Sequence, residues 1–202
     1  PSFLGGGAYN HFVPSAVSSL VSRSEFSTAY TPYQPEVSQG NLQAIYEYQS
    51  MICALTKLPV SNASLYDGAT ALVEAAEISV RSTGNKKIMI SRAVSPFSRG
   101  VLQTYAQGAG WEVEEVSFDL QSGTTKLDVL AEKIKQNPAC FIFQQPNFFG
   151  ILEPAKEIQS LLIPHSSFLI ASVCPISLGI LSPPGDYGAD IAVGNGQPLG
   201  NH

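Results

Sequence analysis

The chain has 202 residues, with 11 Lys+Arg, 16 Asp+Glu and 3 His, a formal net charge of -5 and only 13% charged residues, against about 25% in an ordinary globular domain. With 44% hydrophobic residues and a mean hydropathy of +0.09, it holds enough apolar side chains to build a core, which excludes disorder as its main state. A pI near 5.1 and no basic cluster longer than Lys86-Lys87 argue against a phosphate-backbone footprint, so nucleic acid is not expected as a partner.

No apolar run approaches the roughly 20 residues that span a bilayer, and no basic segment precedes the three glycines at Gly5 to Gly7. The expectation is a cytoplasmic chain, or one whose targeting segment has been removed, with no membrane partner. Three cysteines, Cys53, Cys140 and Cys174, are widely separated in apolar contexts, which points to small core residues rather than to disulfides or a metal site.

The first forty residues are rich in Gly, Pro, Ser and Tyr and are expected to form an arm with one short helix, Ser15 to Val21, in which Pro14 suits the N1 position. Residues 41–202 are expected to form the α/β domain. Leu42, Ile45, Gln49, Ile52 and Leu55 recur at helical spacing up to Lys57, with Ser38 as a possible N-cap. A second helix opens at Asp67-Gly68-Ala69-Thr70 and runs through Arg81, burying Leu72, Ala76 and Val80.

From there strands and helices alternate. Lys87 to Ser91 reads as a strand, Pro96 to Gly108 as a helix, Trp111 to Val116 as a strand and Lys126 to Gln136 as a helix. Cys140 to Gln144 is a continuous apolar strand, Ala155 to Leu162 a helix, and Ser167 to Val173 and Ala189 to Val193 two more strands. That alternation predicts a parallel sheet with right-handed crossovers. Ligands of such sheets sit beyond the strands' carboxyl ends, which directs attention to Ser91-Arg92-Ala93, Gln144-Gln145-Pro146-Asn147, Cys174-Pro175 and Asn195-Gly196-Gln197.

Two segments stand out. TAYTPYQPEVSQG, residues 28 to 40, sets two tyrosines three apart among prolines that hold the backbone extended, with Gln34 and Glu36 between them. Its plainest reading is a structured turn into a helix. SNASLYDGATA, residues 61 to 71, is a small-residue loop entering a helix N-terminus, where free N–H groups and the helix dipole favour an anion. A tight loop needing small residues for packing is the blander alternative.

Taken together, TAYTPYQPEVSQG, YQSMICALTKLPVSNASLYDGATALVEAA, PISLGIL and YGADIAVGNGQPLG closely resemble the subunit 1 branch of the glycine cleavage system P-protein family, over essentially the whole chain. The resemblance implies the three-layer α/β/α large domain of fold-type I, aspartate-aminotransferase-like, pyridoxal-phosphate enzymes. It also implies a dimer of heterodimers with subunit 2, glycine as substrate and the lipoylated H-protein as acceptor of the aminomethyl group. The family places the Schiff-base lysine of pyridoxal 5'-phosphate in subunit 2. Family members continue past the YGADIAVGNGQPLG strand, so a carboxy-terminal small domain is expected to be missing from these 202 residues.

The residues agree with that division. No lysine follows the last strand, where the chain reads Gly194-Asn195-Gly196-Gln197-Pro198, and Cys174 stands where a carboxylate would be needed to hold a pyridinium nitrogen protonated. Cys174 and Gln197 are therefore read as degenerate cofactor positions, and Gly68, Ala69 and Thr70 as a vestigial cofactor-phosphate region. Lys57 stands where relatives usually carry a left-handed glycine, a substitution that strains the backbone by about 1 kcal/mol.

By the family motif, Tyr30, Thr31, Tyr33, Gln34 and Glu36 are candidates for an active site shared across the subunit interface, with Asn10 and His11 as weaker ones. No metal ligand set is expected. The rival reading is a scaffolding subunit that stabilises subunit 2 and docks H-protein without a catalytic contribution.

Overall fold

The computed structural model describes residues 10–29, 31–32 and 34–200. Five parallel strands, β1 (Lys87–Ser91), β2 (Glu112–Val116), β3 (Cys140–Gln145), β4 (Phe168–Val173) and β5 (Ile191–Val193), form one sheet in the order β2-β1-β3-β4-β5. Register is set by pairs such as Met89 with Glu114, Met89 with Phe141, Ile142 with Ile170 and Ala171 with Ala192.

Alternation along the strands divides the core into two layers. Ile88, Ile90, Cys140, Ile142 and Ile170 face α4 (Gly68–Thr83) and α5 (Pro96–Ala109), where Leu72, Ala76, Val80 and Leu102 complete one cluster. Met89, Phe141, Phe143, Leu169 and Ala171 face α6 (Leu127–Lys133) and α7 (Ala155–Leu162), with Leu130, Ile158 and Leu162. Each fully buried Leu, Ile or Phe contributes roughly 1.5–3 kcal/mol of transfer free energy. The central strand β3, with Cys140 to Phe143 buried, anchors both layers.

The helices begin and end for local reasons. Asp67 caps α4: its carboxylate accepts from Thr70 N at 2.8 Å while the Thr70 hydroxyl accepts from Asp67 N at 3.3 Å. Gly84 and Gly110, in left-handed conformation, end α4 and α5. Lys57 ends α3 (Gln39–Thr56) with φ 55°, the left-handed position anticipated from the sequence.

Several expectations need correction. Pro14 is the N-cap of α1 (Ser15–Val21), not its first helical residue. A second helix, α2 (Ser24–Ser27), follows; one turn is too short for any periodic signal, and its Ser24 carbonyl accepts from Thr28 Oγ1 at 2.6 Å. The last strand is shorter than expected: Ala189 N donates to the Pro184 carbonyl at 3.0 Å rather than to β4, and at Asp190 it is the side-chain carboxylate that accepts from Leu169 N, at 2.7 Å. Of the cysteines only Cys140 is buried; Cys53 and Cys174 are half-buried. The expected inward stripe of α3 is also only half-buried along its length, because α3 packs on the short turn Pro175–Gly179 rather than over the middle of the sheet.

Among the described residues no helix is long and apolar enough to cross a membrane, and no three His, Cys, Asp or Glu are grouped to hold a metal ion.

Candidate functional site

β3 lies on the opposite side of β1 from β2, so the strand order reverses between β1 and β3, and a crevice is expected beyond their carboxyl ends. The residues that follow those strands fill it with their own contacts. Ser95 N donates to Gln144 Oε1 at 2.8 Å, and Phe148 N donates to the Ala93 carbonyl at 2.8 Å. Beneath them lies a buried polar network that the sequence did not reveal. Ser91 Oγ and Thr125 Oγ1 are 2.7 Å apart, Thr125 N donates to Glu153 Oε2 at 2.8 Å, and Asn147 Nδ2 donates to Glu153 Oε1 at 2.9 Å. Gln145 Oε1 in turn accepts from Glu153 N at 2.8 Å. The network holds the turn that presents Phe149 against Phe118, with ring centroids 4.9 Å apart.

An open groove lies at the β5 edge of the sheet. Between α3, residues 58–67, α4 and β5 runs a groove of about 810 Å³. Its walls are mainly apolar, from Ile52 and Leu55 to Ile78, Ile191 and Val193, with Tyr48, Asp67, Asn195 and Gln197 at one end. The structure thus brings the segment entering α4 together with the segment leaving β5, two of the places singled out from sequence. Gly68 is buried, and Ala69 and Thr70 are half-buried. Gln197 is half-buried at the same end, and Cys174, half-buried, starts a short 3-10 turn in which its carbonyl accepts from Ser177 Oγ at 2.7 Å.

The anion-binding potential of α4 is spent internally. Gly68 N donates to Asn195 Oδ1 at 2.7 Å, Thr70 N donates to the Asp67 carboxylate, and the Ala71 N–H takes the Asp67 carbonyl at 2.9 Å. Hydrogen bonds from Thr70, its N–H foremost, and from the Ala69 N–H hold Asp67 below the usual carboxylate range against a desolvation effect that raises it. None of the groove's lining residues is a lysine.

Thr31, Gln34 and Glu36 do not line this groove. All three are exposed, and the Gln34 carbonyl accepts from Val37 N and Ser38 N in the turn that leads into α3. Tyr30 and Tyr33 lie outside the described residues. Their neighbours Ala29 and Pro32 line a second, shallower hollow of about 440 Å³ with Phe26, Ile45, Tyr48 and Ala63. Tyr48 borders both openings. Asn10 is exposed and His11 half-buried.

Comparison with known proteins agrees with this architecture. The family model described as "Glycine cleavage system P-protein" matches residues 1–201. The chain is 51% identical over 199 residues to the probable glycine dehydrogenase (decarboxylating) subunit 1 of Anoxybacillus flavithermus, covering 98% of this chain and 44% of that protein. The Bacillus cereus protein of the same description is 52% identical over the same share of each.

A crystal structure of glycine decarboxylase (P-protein) of the glycine cleavage system, in inhibitor-bound form, superposes with a TM-score of 0.90 at 45% identity, over 98% of this chain and 44% of that one. An alanine–glyoxylate aminotransferase from Nostoc superposes at 0.68 with 19% identity over 95% of this chain and 48% of that one, which shows the fold alone. The fold is that of the fold-type I pyridoxal-phosphate-dependent transferases. The chain spans less than half the length of the relatives it matches. With a family model aligned along nearly every residue and half of its positions identical to named members, the chain belongs to the glycine cleavage system P-protein family.

Proposed function

We propose that this chain serves as subunit 1 of glycine dehydrogenase (decarboxylating). Paired with a second subunit, it would take part in the decarboxylation of glycine in the cytoplasm, with release of carbon dioxide and transfer of the aminomethyl group to the lipoyl arm of H-protein. The observation that carries the reading is identity of about half over 98% of the chain to proteins named as that subunit. Pyridoxal phosphate, where it is bound, supplies an electron sink for the bond that breaks; on this reading the second subunit of a dimer of heterodimers carries it.

This chain's part is to shape and close the shared pocket. Thr31, Gln34 and Glu36 leave their side chains exposed on a turn fixed by Pro32 and Pro35, free to meet a partner. Together with Tyr30 and Tyr33 they are the residues proposed to line the glycine and lipoyl-arm pocket. Tyrosine hydroxyls there would hold the substrate carboxylate, and Glu36 would orient one of them or a cationic group of the partner. Excluding water from that pocket favours loss of the carboxylate.

The test is glycine–carbon dioxide exchange by the reconstituted pair with H-protein, using Tyr33→Phe and Glu36→Gln. A loss of about tenfold or more in either, with pairing intact by gel filtration, is expected for groups that hydrogen-bond the substrate. Unchanged exchange in both would remove the active-site role and leave a subunit that only supports its partner.

A further inference from the structure

We infer that the N-terminus of α4 is closed to phosphate by two side chains of this chain, Asn195 and Asp67, and serves as a clasp that fastens the segment after β5 to the helix. A 16-residue helix presents its first N–H groups as an anion site by default. Here three of the first four are taken. The Gly68 N–H goes to Asn195 Oδ1 at 2.7 Å, that of Thr70 goes to the Asp67 carboxylate at 2.8 Å, and that of Ala71 goes to the Asp67 carbonyl at 2.9 Å.

Sterics close the site as firmly as hydrogen bonding. A Cβ placed on Gly68 would meet Asn195 Cγ at 3.1 Å and both terminal atoms at 3.2 Å, so the carboxamide lies directly over the glycine. Any phosphate ester would have to displace that amide and then sit beside a carboxylate that the same N–H groups keep ionised. Like charges at that separation repel, and the dipole that would favour the phosphate is already satisfied by Asp67. The glycine at 68 accordingly serves the approach of a side chain rather than that of a cofactor.

The clasp has a mechanical consequence. Asn195 and Gly68 are 127 residues apart and join the mouth of the sheet's edge strand to the first turn of α4. The backbone before Asn195 is packed against β4, since a Cβ on Gly194 would fall 2.3 Å from the Val173 carbonyl oxygen. The end of the groove that holds Asp67, Asn195 and Gln197 is thereby fixed in shape. The inference rests on this chain's own geometry and stands whether or not the proposed role in glycine cleavage does.

The experiment follows the backbone amides of Gly68, Ala69 and Thr70 by nuclear magnetic resonance in the 202-residue chain, with inorganic phosphate and pyridoxal phosphate as probes. In the unaltered chain none of the three is expected to shift saturably with either. In Asn195→Ala the Gly68 amide should exchange with solvent about tenfold faster, whereas Asn195→Asp, which keeps the acceptor, should protect it as before. The combined Asp67→Ala, Asn195→Ala chain should gain a saturable phosphate response at these amides. A saturable response in the unaltered chain, unchanged Gly68 exchange in Asn195→Ala, or a folded double variant indifferent to phosphate would each overturn the inference.

Discussion

The buried carboxylate of Glu153 takes a hydrogen bond from the side-chain amide of Asn147 at 2.9 Å, six residues earlier and across the turn that ends β3. Glu153 is 5% exposed and its other oxygen accepts from Thr125 N at 2.8 Å. Asn147, 3% exposed, uses its own oxygen to accept from Phe149 N at 3.0 Å and Ile151 N at 3.1 Å. One pair therefore fixes three backbone N–H groups at the carboxyl edge of the sheet.

Glu153→Ala leaves two buried donors unpaired and is expected to lower stability by about 3 kcal/mol. Asn147→Ala should cost a similar amount. Because the two side chains share one network, their double variant should lose less than the sum of the singles by about 1–2 kcal/mol. Urea unfolding of the four chains measures this, and strict additivity would show that the two side chains act independently.

Physical reasons separate what was readable in the sequence from what was not. The strands announced themselves through unbroken apolar runs such as Cys140 to Phe143, and α4 through Asp67, because both signals are local. The Gln144 to Asn147 segment was marked by its place after a strand, yet its partner Thr125 comes from the connection between β2 and α6, and Glu153 returns to it from the far end of its own connection. Only tertiary packing joins them, and an isolated Glu before a helix carries no sign that it will be buried. The half-buried stripe of α3 has the same origin: periodicity reports a helix and its apolar face, not how much of that face finds cover. Asn195 was noticed as a loop residue, but its reach to Gly68 follows from the parallel register of β4 and β5.

Lys57 supplies a cleaner energetic test. Its φ of 55° is costly for a residue with a Cβ, while its ammonium meets Asp186 at 2.7 Å with both side chains substantially exposed, 58% and 43%. Such exposed pairs are worth about 0–1 kcal/mol, and relief of a left-handed backbone by glycine about 1 kcal/mol. Lys57→Gly is therefore expected to match or slightly exceed the parent in stability, and Lys57→Ala, which loses the pair and keeps the strain, to fall about 1 kcal/mol below Lys57→Gly. Chemical denaturation of both decides it; equal values would mean that the backbone at this position is not strained.

Opposite that helix end, Gly185 admits no side chain, since its added Cβ would lie 2.3 Å from the Lys57 carbonyl oxygen. Backbone cannot yield as the tip of a side chain does. Gly185→Ala should destabilise the chain by about 2 kcal/mol, read as a lower urea midpoint. A midpoint unchanged from the parent would mean that the short turn Pro184–Tyr187 shifts away freely.

The cysteines differ in a way that thiol chemistry can read. Burial pushes Cys140 up to about 12, partly opposed by the Ser79 hydroxyl, so it has almost no thiolate at neutral pH. Cys53 and Cys174 are half-buried. A thiol reagent applied to the folded chain should modify those two and spare Cys140, which should react only after unfolding. Mass spectrometry of tryptic peptides gives the assignment, and fast native labelling of Cys140 would contradict its place in the core.

Asp67 ties stability to pH with a definite sign. Its folded pKa lies below the ordinary value because Thr70, above all through its N–H, binds the charged form. The unfolded chain therefore takes up the proton first as pH falls. The carboxylate's extra stabilisation is complete above the unfolded value, about 3.9, and disappears as pH drops through the folded one. Asn at this position keeps a capping oxygen but has no charge to lose, so it isolates the electrostatic part. At neutral pH Asp67→Ala should cost about 1 kcal/mol and Asp67→Asn less, since the side chain is exposed and solvent screens its charge. The gap between Asp and Asn should stay constant from neutral pH to about pH 5 and close below about pH 4. Urea melts of the two chains across that range are the measurement, and a gap that widened on acidification would mean that the helix cap binds the protonated form better than the carboxylate.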